Sequence, residues 1–295
     1  MEIEKVGVVG CGLMGHGIAQ ICAQAGWSAV VREVSQDKLD AGFGKIEKQL
    51  ARAVEKERIE QSEAEAVRGR IHGTLDYGDL ADCDLVIEAI TEDLEAKLEM
   101  WREVDAIVEP GAVFATNTSS LSVAEQAAAT SRPERFLGLH FFNPAQVMPL
   151  LEVVRAEGTG DEAAALGFEL GEKLGKTVVA ARDNRGFIVN RLLVPYMLDA
   201  IRAYEDGVGS IEDIDTGMKA GASHPMGPLT LADFVGLDTL ASIAEVMHDA
   251  YGEDRFAAPK TLTDLVAAGQ KGRKSGKGFY DYSGERPVAR EVGGP

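Results

Sequence analysis

The stretch that decides the fold is Val6-Gly7-Val8-Val9-Gly10-Cys11-Gly12-Leu13-Met14-Gly15-His16-Gly17. A short apolar run leads into Gly-x-Gly-x-x-Gly, and an amphipathic segment from Ile18 to Ala25 follows, which predicts a buried strand, a tight turn and a helix. Gly10 permits the sharp bend, Gly12 leaves room for phosphate oxygens, and Gly15 lets the helix pack close to the strand. Because a helix N-terminus attracts anions, we predict that these six turn residues hold a pyrophosphate.

A second apolar strand, Ala29-Val30-Val31, ends in Arg32-Glu33, and Glu33 lies 18 residues beyond Gly15. A carboxylate at that position accepts hydrogen bonds from both ribose hydroxyls and repels a 2′-phosphate. The combination predicts NAD as the cofactor. Two alternatives stay open at this point: the turn could belong to some other α/β protein, and the Arg32 guanidinium could pair with the extra phosphate of NADP.

Length and composition bound the class of protein. The 295 residues are enough for two domains or one large one, and the 45% hydrophobic and 26% charged content is typical of a soluble globular protein. The net charge of −18 and the isoelectric point near 4.7 argue against nucleic acid and anionic membranes as partners. No apolar run approaches the roughly 18 residues of a membrane-spanning helix, so none is expected.

Cysteine and histidine usage predicts neither a disulfide framework nor a metal site. Cys11, Cys22 and Cys83 form no C-x-x-C pair, and the five histidines show no metal-ligand spacing. The N-terminus runs directly into the first strand, which leaves no room for a signal peptide. We therefore expect a cytoplasmic protein whose cysteines are small, reduced core residues.

Strands and helices alternate over the first part of the chain. Beyond the first two strands, strand-like runs lie at 71–72, 84–89, 113–115, 136–142, 150–154 and 177–181, and helical patterns lie at about 36–68, 94–108 and 161–174. This alternation predicts a Rossmann-like, doubly wound α/β sheet with mostly parallel strands. Ligands bind such sheets at the carboxyl ends of the strands, where Glu92 and Ser119 lie.

The alternation stops near residue 183, where we place the domain boundary. From Asn184 onward only helices are predicted, at about 186–206, 211–220, 228–249 and 260–268. Residues 1–183 would form the dinucleotide-binding domain, and residues 184–283 an all-α C-terminal domain. The polar residues 284–295, which contain several glycines and prolines, are predicted to be a frayed tail.

A basic stripe follows one face of the helix predicted from residue 36. Its members share offsets of 3, 7 and 11 residues, which keeps them close together on one face: Lys45, Lys48, Arg52 and Lys56. In so acidic a protein this stripe suggests a phosphate-rich ligand. The alternative is a solvated face whose cations pair with the neighbouring acidic residues Glu47, Glu55 and Glu57.

Two titratable residues stand on strand-like runs, His140 in Leu-Gly-Leu-His-Phe-Phe and Glu152 in Leu-Leu-Glu-Val-Val. A carboxylate on a buried strand needs a partner, and an imidazole on a neighbouring strand end can provide it. Such a pair holds the ring in one tautomer and leaves its other nitrogen free to take a proton. With a nicotinamide nearby, this arrangement suits oxidation of an alcohol. A purely structural histidine is the alternative.

Ser119 and Asn190 are the polar residues most open to a ligand. Ser122-Val-Ala-Glu125 spells a capping box, so Ser122 is the predicted N-cap and Ser119 remains in the preceding loop, able to bind a ligand. Asn190 lies in the first turn of an otherwise apolar helix. Its amide either bonds back to the helix or faces a polar cavity, and the pattern does not decide between the two.

Several motifs in fixed order resemble the L-3-hydroxyacyl-CoA dehydrogenase family, in particular its short bacterial 3-hydroxybutyryl-CoA dehydrogenases. They are Gly10-Cys-Gly-Leu-Met-Gly15, Asn117-Thr-Ser-Ser-Leu121, His140-Phe-Phe-Asn-Pro144, Leu151-Glu-Val153, Gly186-Phe-Ile-Val-Asn-Arg191, His224-Pro-Met-Gly-Pro228 and Lys274-Ser-Gly-Lys-Gly-Phe-Tyr280. The likeness runs from residue 3 to about residue 282. It implies oxidation of an L-3-hydroxyacyl-CoA with NAD, and a homodimer formed through the helical domain.

The resemblance also implies roles for the residues of the reaction centre. His140 would be the general base and Glu152 would orient it. Ser119 and Asn190 would hold the substrate oxygen near the base and stabilise the charge that develops on it.

For the cofactor and coenzyme A, the resemblance implies a second set of contacts. Besides the glycine turn, the residues that would contact or line the NAD site are Glu33, Glu92, Lys97, Ser119, Asn143 and Lys274. Glu33 stands where the family usually has Asp, and the extra methylene should keep the preference for NAD. Lys56 and the neutral Gln49 fall where relatives contact coenzyme A, which favours a ligand role for the basic stripe.

Two other functions remain as alternatives. One is a dehydrogenase of a hydroxy acid without coenzyme A, such as a sugar acid, on the same scaffold. The other is a non-catalytic NAD-binding protein, against which the set His140, Glu152, Ser119 and Asn190 argues.

Overall fold

The structure is a computed structural model that describes residues 2–292. The chain divides into two compact units, the first ending at Phe187 and the second beginning at Ile188. The boundary therefore falls a few residues after the position near 183 suggested by the sequence pattern. Among the described residues, no helix is long and apolar enough to cross a membrane.

The first unit is built on an eight-stranded sheet within the described residues. Its strands are β1 Lys5–Val9, β2 Ser28–Arg32, β3 Ile71–Thr74, β4 Leu85–Glu88, β5 Val113–Thr116, β6 Phe136–Phe141, β7 Leu150–Arg155 and β8 Thr177–Arg182. They lie in the order β3-β2-β1-β4-β5-β6-β7-β8, and every pair is parallel except β6 with β7. The predicted Rossmann-like, mostly parallel sheet is confirmed.

Helices cover both faces of this sheet, as its nearly continuous apolar strands require. They are α1 Gly15–Gln24, α2 Gln36–Glu55, α3 Gln61–Gly69, α4 Leu94–Ile107, α5 Val123–Ala127 and α6 Asp161–Lys173. One face buries side chains of α1, α2, α3 and α6. The other face buries α4 and α5, and there the Trp101 ring stacks on Phe114 at 5.1 Å and meets the edge of Phe136 at 4.8 Å.

The single helix predicted over residues 36–68 is wrong, because the chain breaks it after residue 55. Glu57 adopts a positive φ of 54°, and the amides of Glu57 and Arg58 bond back to the carbonyls of Val54 and Ala53. This closes the end of α2 in the manner of a left-handed C-terminal cap. The chain then runs extended through Glu60 and starts α3 at Gln61. The break depends on the single positive φ at Glu57, which the helical pattern of the sequence did not reveal.

The second unit is mainly helical. Its elements are α7 Val189–Glu205, α8 Ile211–Gly221, α9 Pro228–Val235, α10 Leu237–Tyr251, α11 Lys260–Ala267 and the short strands β9 Tyr280–Asp281 and β10 Val288–Ala289. Two predictions are wrong here. The helix predicted over 228–249 is divided at Gly236, whose φ of 100° suits glycine and ends α9. The prediction that this part of the chain contains only helices is also wrong, because β9 and β10 form an antiparallel pair.

Two buried aspartates tie the end of this unit to its helices. Asp215 accepts hydrogen bonds from the first-turn amides of α9, Leu229 at 2.8 Å and Thr230 at 2.9 Å, and from the Tyr280 hydroxyl at 2.8 Å. Asp233 accepts from the amides of Phe279 at 3.0 Å and Tyr280 at 2.9 Å. Burial raises the pKa of Asp233 to about 6, against these hydrogen bonds, which lower it.

The prediction of a frayed tail from residue 284 is wrong for residues 288–292. Val288 and Ala289 pair with β9, the Val292 side chain is buried, and the Val292 amide donates to the Tyr204 hydroxyl at 3.1 Å. Arg290 anchors the same segment through the Gln270 side chain at 2.8 Å. Apolar contacts at its far end therefore hold a segment whose composition is polar. Residues 293–295, which belong to the same prediction, lie outside the described residues.

Candidate active site

The glycine turn between β1 and α1 has the geometry that a pyrophosphate requires. Gly10 has a φ of 99°, which suits glycine. A Cβ on Gly15 would collide with the Gly10 carbonyl oxygen, so the absence of a side chain there lets the helix pack directly against the turn. A Cβ on Gly12, in contrast, would meet no atom within 4 Å. The backbone at Gly12 is thus open to a ligand beside the N-terminus of α1, and the residues of this turn fit a dinucleotide.

Glu33 lies beside this turn, directly after the end of β2. One carboxylate oxygen accepts a hydrogen bond from the Cys11 amide at 2.9 Å, and the other accepts from the Val34 amide at 2.7 Å. Each carboxylate oxygen has a second lone pair, so the group can still accept hydrogen bonds from ribose hydroxyls. Arg32 stacks its guanidinium over the Tyr77 ring at 3.7 Å, which gives it an aromatic partner in place of a phosphate.

A chain of hydrogen bonds connects the turn to α2 and to the loop after β6, and the sequence did not predict it. The buried His16 has Nδ1 at 2.6 Å from the Gly12 carbonyl oxygen, so Nδ1 donates and Nε2 accepts from the Gln49 amide at 3.2 Å. The Gln49 carbonyl accepts in turn from Gln146. Burial lowers the pKa of His16, which favours this neutral form. Gln49, predicted to contact coenzyme A, thus supports the turn in this structure.

His140 and Glu152 face each other across the antiparallel pair β6 and β7, where they are direct register partners. His140 Nδ1 lies 2.6 Å from Glu152 Oε2, and both side chains are buried. The rings of Phe142 and Phe187 lie 4.5 and 5.4 Å from the imidazole centroid. With Nδ1 donating to the carboxylate, Nε2 is the nitrogen that can take a proton, as the sequence pattern anticipated.

Ser119 lies in the loop between β5 and α5, where Glu92 holds the backbone. Glu92 Oε1 accepts from the amides of Ser119 at 2.9 Å and Ser120 at 3.1 Å and from the Thr118 hydroxyl at 2.5 Å. The predicted N-cap is confirmed, because the Ser122 hydroxyl accepts from the Glu125 amide at 3.2 Å at the start of α5. Ser119 is therefore free of the capping role, and its half-buried hydroxyl remains for a ligand.

Two buried residues support this loop: Glu88, which reasoning from sequence overlooked, and Lys97. Glu88, at the end of β4, is fully buried and accepts from the Thr116 hydroxyl at 2.6 Å and from Lys97 Nζ at 2.5 Å. Lys97, predicted to line the cofactor site, has a side chain only 1% exposed, and its Nζ lies 3.3 Å from Glu92 Oε2. A charged residue at the end of the apolar run Leu85-Val-Ile-Glu88 was the available signal, because a buried carboxylate requires a partner.

The remaining predicted site residues are distributed over the molecule. Asn143 is exposed on the loop that follows β6. Asn190 is the second residue of α7, half-buried, and Lys274 forms an ion pair with Asp238; both belong to the second unit. Lys56, the residue that caps the end of α2, is exposed. The contacts of these four residues with cofactor or substrate remain predictions.

The basic stripe on α2 does not pair with its acidic neighbours. Lys45, Lys48, Arg52 and Lys56 are exposed, and within residues 2–292 none of them forms an ion pair. Glu47 instead pairs with Arg68 at 3.1 Å. The stripe is consequently a cationic surface on a chain of net charge −18.

Comparison with known proteins gives matches over almost the whole chain. Residues 5–184 match the family model described as "3-hydroxyacyl-CoA dehydrogenase, NAD binding domain", and residues 186–282 match that of the C-terminal domain of the same family. The chain is 46% identical to the 3-hydroxybutyryl-CoA dehydrogenase of Bradyrhizobium diazoefficiens over 286 residues, which are 97% of this chain and 98% of the relative.

Solved structures agree with these matches. The crystal structure of FadB2 from Mycobacterium tuberculosis superposes with a TM-score of 0.94 at 48% identity and covers 96% of this chain and 100% of its own. The (S)-3-hydroxybutyryl-CoA dehydrogenase PaaH1 from Ralstonia eutropha gives a TM-score of 0.92 at 40% identity with the same coverage. The chain thus belongs to the 3-hydroxyacyl-CoA dehydrogenase family, and its first unit is the NAD-binding domain of that family.

Proposed function

We propose that the chain oxidises a short L-3-hydroxyacyl-CoA, such as 3-hydroxybutyryl-CoA, to the 3-oxoacyl-CoA with NAD. The observation that carries this proposal is the buried pair of His140 Nδ1 and Glu152 Oε2, 2.6 Å apart, in the domain that binds NAD. The substrates of the relatives, as their names give them, support the substrate class. NAD supplies the hydride acceptor when bound.

In the oxidation direction, His140 Nε2 takes the proton of the substrate hydroxyl. Glu152 holds the ring with Nδ1–H toward the carboxylate, so the basic lone pair is always on Nε2, and it stabilises the imidazolium that forms. Phe142 and Phe187 limit the access of water to the ring. In the reduction direction the same nitrogen returns the proton to the developing alkoxide.

Ser119 and Asn190 hold the substrate oxygen in this proposal. Glu92 supports this role of Ser119, because it fixes the loop mainly through backbone amides, such as that of Ser119. The Ser119 hydroxyl itself lies 3.4 Å from Glu92 Oε1, a long contact that a substrate oxygen can replace. A hydroxyl and an amide donor at the oxygen stabilise the charge that develops on it as the proton leaves.

For the cofactor, we assign the glycine turn to the pyrophosphate and Glu33 to the adenosine ribose. Glu92, Lys97, Asn143 and Lys274 are assigned to the nicotinamide half. The open backbone at Gly12 supports the first assignment, and the carboxylate of Glu33 beside the Cys11 amide supports the second. The aromatic partner of Arg32 favours NAD over NADP.

The decisive experiment follows the oxidation of NADH with a series of 3-oxoacyl-CoA substrates of increasing chain length. Free acetoacetate, the same reacting group without coenzyme A, is the matched control. We expect turnover with acetoacetyl-CoA and a kcat/KM for acetoacetate that is lower by at least ~10²-fold, since remote binding energy is lost. Equal turnover of the free acid, or oxidation of a sugar acid alone, would favour the dehydrogenase without coenzyme A. No NADH signal with any substrate would indicate a non-catalytic protein.

We also assign the cationic surface of α2 to the phosphates of coenzyme A, with Gln49 at its edge. The absence of ion pairs at the four cations among the described residues supports this assignment. Lys56→Ala should raise the KM for acetoacetyl-CoA about 3- to 10-fold and leave kcat unchanged, because a surface cation contributes uniform binding. Lys173→Ala, an exposed lysine on α6, is the control. An unchanged KM in Lys56→Ala would exclude Lys56 from the coenzyme A site.

A homodimer formed through the helical unit, in the cytoplasm, completes the proposal. Large apolar side chains support the dimer, since Leu192, Val208 and Phe234 of this unit are 70, 76 and 53% exposed. Three free, buried cysteines fit a reducing compartment. Light scattering should give about twice the chain mass of 31.5 kDa, and Leu192→Asp should lower it. A monomeric wild-type protein would exclude the dimer.

A further inference from the structure

Lys97 on α4 lies between two carboxylates at the carboxyl ends of the central strands. Its Nζ is 2.5 Å from Glu88 Oε1 and 3.3 Å from Glu92 Oε2. The side chains of Lys97 and Glu88 are 1 and 0% exposed, whereas that of Glu92 is 36% exposed. Since an ammonium buried this deeply needs a counter-charge, Glu88 is the partner that keeps Lys97 charged beneath Glu92.

Glu92 accepts hydrogen bonds from three successive residues of the Ser119 loop. Its Oε1 takes the amides of Ser119 and Ser120 and the Thr118 hydroxyl, and the Ser120 hydroxyl lies 3.2 Å away. All of these groups act as donors, so the ionised carboxylate is the stronger acceptor for the loop. Burial would raise the pKa of Glu92, but the Lys97 ammonium and the hydrogen bonds from the loop hold it below its usual value.

Glu88 reaches the same loop by a second route. Its Oε2 accepts from the Thr116 hydroxyl at 2.6 Å, and that hydroxyl oxygen accepts from the Thr118 amide at 3.2 Å. The base of the loop is thus fixed through Thr116 and its tip through Lys97 and Glu92. Both connections originate in the one carboxylate of Glu88, which is at the end of β4.

We propose that Glu88 and Lys97 are positioning residues for the reaction, which place the Ser119 hydroxyl through Glu92 and Thr116. This inference rests on the proposed function, because it assigns importance to Ser119 in catalysis. Lys97 supplies the positive charge that keeps Glu92 an acceptor for the loop. Glu88 supplies the counter-charge of Lys97. Because Lys97 pairs with Glu88, it does not form a closer ion pair with Glu92, which would pull Glu92 away from the loop.

A structural role alone makes a different prediction from a positioning role, and the double variant Glu88→Gln, Lys97→Met separates them. Glutamine retains the oxygen that accepts from Thr116, and methionine fills the space of the lysine chain, so no unpaired charge remains buried. The Ile90 amide, which donates to Glu88 Oε1 at 2.7 Å, loses that acceptor in Glu88→Gln, so we expect the protein to fold with a modestly lower melting temperature. Glu92, however, loses its cation, and we expect its pKa to rise.

The measurement is the pH profile of acetoacetyl-CoA reduction, in which protonated His140 acts as the acid. Because Lys97 is also assigned to the cofactor site, kcat is measured at saturating NADH. In the double variant we expect a loss of kcat on the acidic side as Glu92 is protonated, about 10-fold relative to wild type near pH 5.5 and less than about 3-fold near pH 8. The charged groups that act on Glu92 are Lys97 and, through Lys97, Glu88.

The matched control is Asp105→Asn on the same helix, which removes the charge of another largely buried ion pair, with Arg132 at 2.8 Å. We expect it to lower the melting temperature without a new acidic limb. In a Ser119→Ala background the double substitution should change kcat by less than about 2-fold near pH 5.5, because the two act through one group.

Three results would overturn the inference: a double variant with the wild-type pH profile, an acidic limb in Asp105→Asn as well, or full additivity with Ser119→Ala. Failure of the proposed function is distinguishable from these results. In that case the wild-type protein does not turn over acetoacetyl-CoA, or Ser119→Ala alone leaves kcat unchanged.

Discussion

Buried carboxylates lie in both units of the molecule, and their partners differ. In the NAD-binding unit, Glu152 lies 2.6 Å from the His140 imidazole and Glu88 lies 2.5 Å from the Lys97 ammonium. In the helical unit, Asp215 and Asp233 accept only from amides and hydroxyls in the contacts described above. Titratable or cationic partners thus accompany the carboxylates of the proposed site, and neutral donors accompany those that join elements of the fold.

The difference has a physical consequence for the charge states of Glu92 and Asp233. A cation lowers the energy of the ionised carboxylate, as the direction of the Glu92 pKa shows. Neutral donors compensate burial less completely, and burial raises the pKa of Asp233 to about 6. The partner of a buried carboxylate therefore indicates whether the group holds charge for chemistry or crosslinks the fold.

The largest effect is expected where a carboxylate orients a base. In Glu152→Gln the amide would donate to Nδ1 and force the proton of the neutral ring onto Nε2, which then cannot accept the substrate proton. We expect kcat for 3-hydroxybutyryl-CoA oxidation to fall about 10²-fold, with the Kd for NADH unchanged by fluorescence titration. Activity within about 2-fold of wild type would show that the Glu152 carboxylate does not support the role of His140 as the base.

The stability of the helical unit should depend on pH through Asp233. Its folded-state pKa is raised from 3.8 to about 6, so the folded protein holds a proton that the unfolded chain has released, and stability falls as pH rises between these values. Relative to Asp233→Asn, which lacks this ionisation, the wild-type free energy of unfolding should fall by up to about 3 kcal/mol from pH 4 to pH 7. Urea unfolding followed by circular dichroism measures it.

For Glu92 we expect the free energy of unfolding to depend on pH with the opposite sign to that for Asp233. The pKa of Glu92 is lowered, so the ionised group stabilises the folded state above the usual pKa and that stabilisation is lost as pH falls. The difference in the free energy of unfolding between wild type and Glu92→Gln should therefore shrink as the pH falls. Over the same change in pH, the wild-type protein should gain stability relative to Asp233→Asn. Slopes of the same sign for both residues would contradict the distinction between the two units.

Glu33 tests how far this comparison extends, because it accepts hydrogen bonds from two amides although it belongs to the proposed cofactor site. In Glu33→Ala we expect the Kd for NADH to rise about 10-fold, the worth of one or two hydrogen bonds to a charged group, and the preference for NADH over NADPH to narrow. Glu33→Asp should retain the preference. If the ratio of the two affinities does not move in Glu33→Ala, the ribose assignment is wrong.

Much of the fold was readable from the sequence because it depends on local patterns. The glycine turn, the apolar strands and the alternation of elements predicted the parallel sheet and its helical faces. The break of α2 at Glu57, the division at Gly236 and the pairing of β9 with β10 depend on single backbone conformations and on contacts distant in sequence. Hydrophobic periodicity does not report such features.

The site was readable in part for a similar reason. A buried histidine and a buried glutamate on strands each require a partner, and that requirement paired His140 with Glu152 before their register was known. Lys97 was assigned to the cofactor site, but its burial between Glu88 and Glu92 depends on how α4 packs against the sheet. Gln49 is hydrogen-bonded to His16 and also to Gln146, and these three residues lie on α2, on α1 and in the loop after β6. Contacts between such distant segments produce no recognisable pattern in the local sequence.

The central claim is that His140 moves the substrate proton, and the most direct test is His140→Gln assayed in both directions with acetoacetyl-CoA and 3-hydroxybutyryl-CoA. We predict a loss of turnover of at least ~10²-fold in each direction, the usual contribution of a general acid–base, with the Kd for NADH nearly unchanged. Turnover equal to that of the wild-type protein would remove His140 from the reaction and contradict the account.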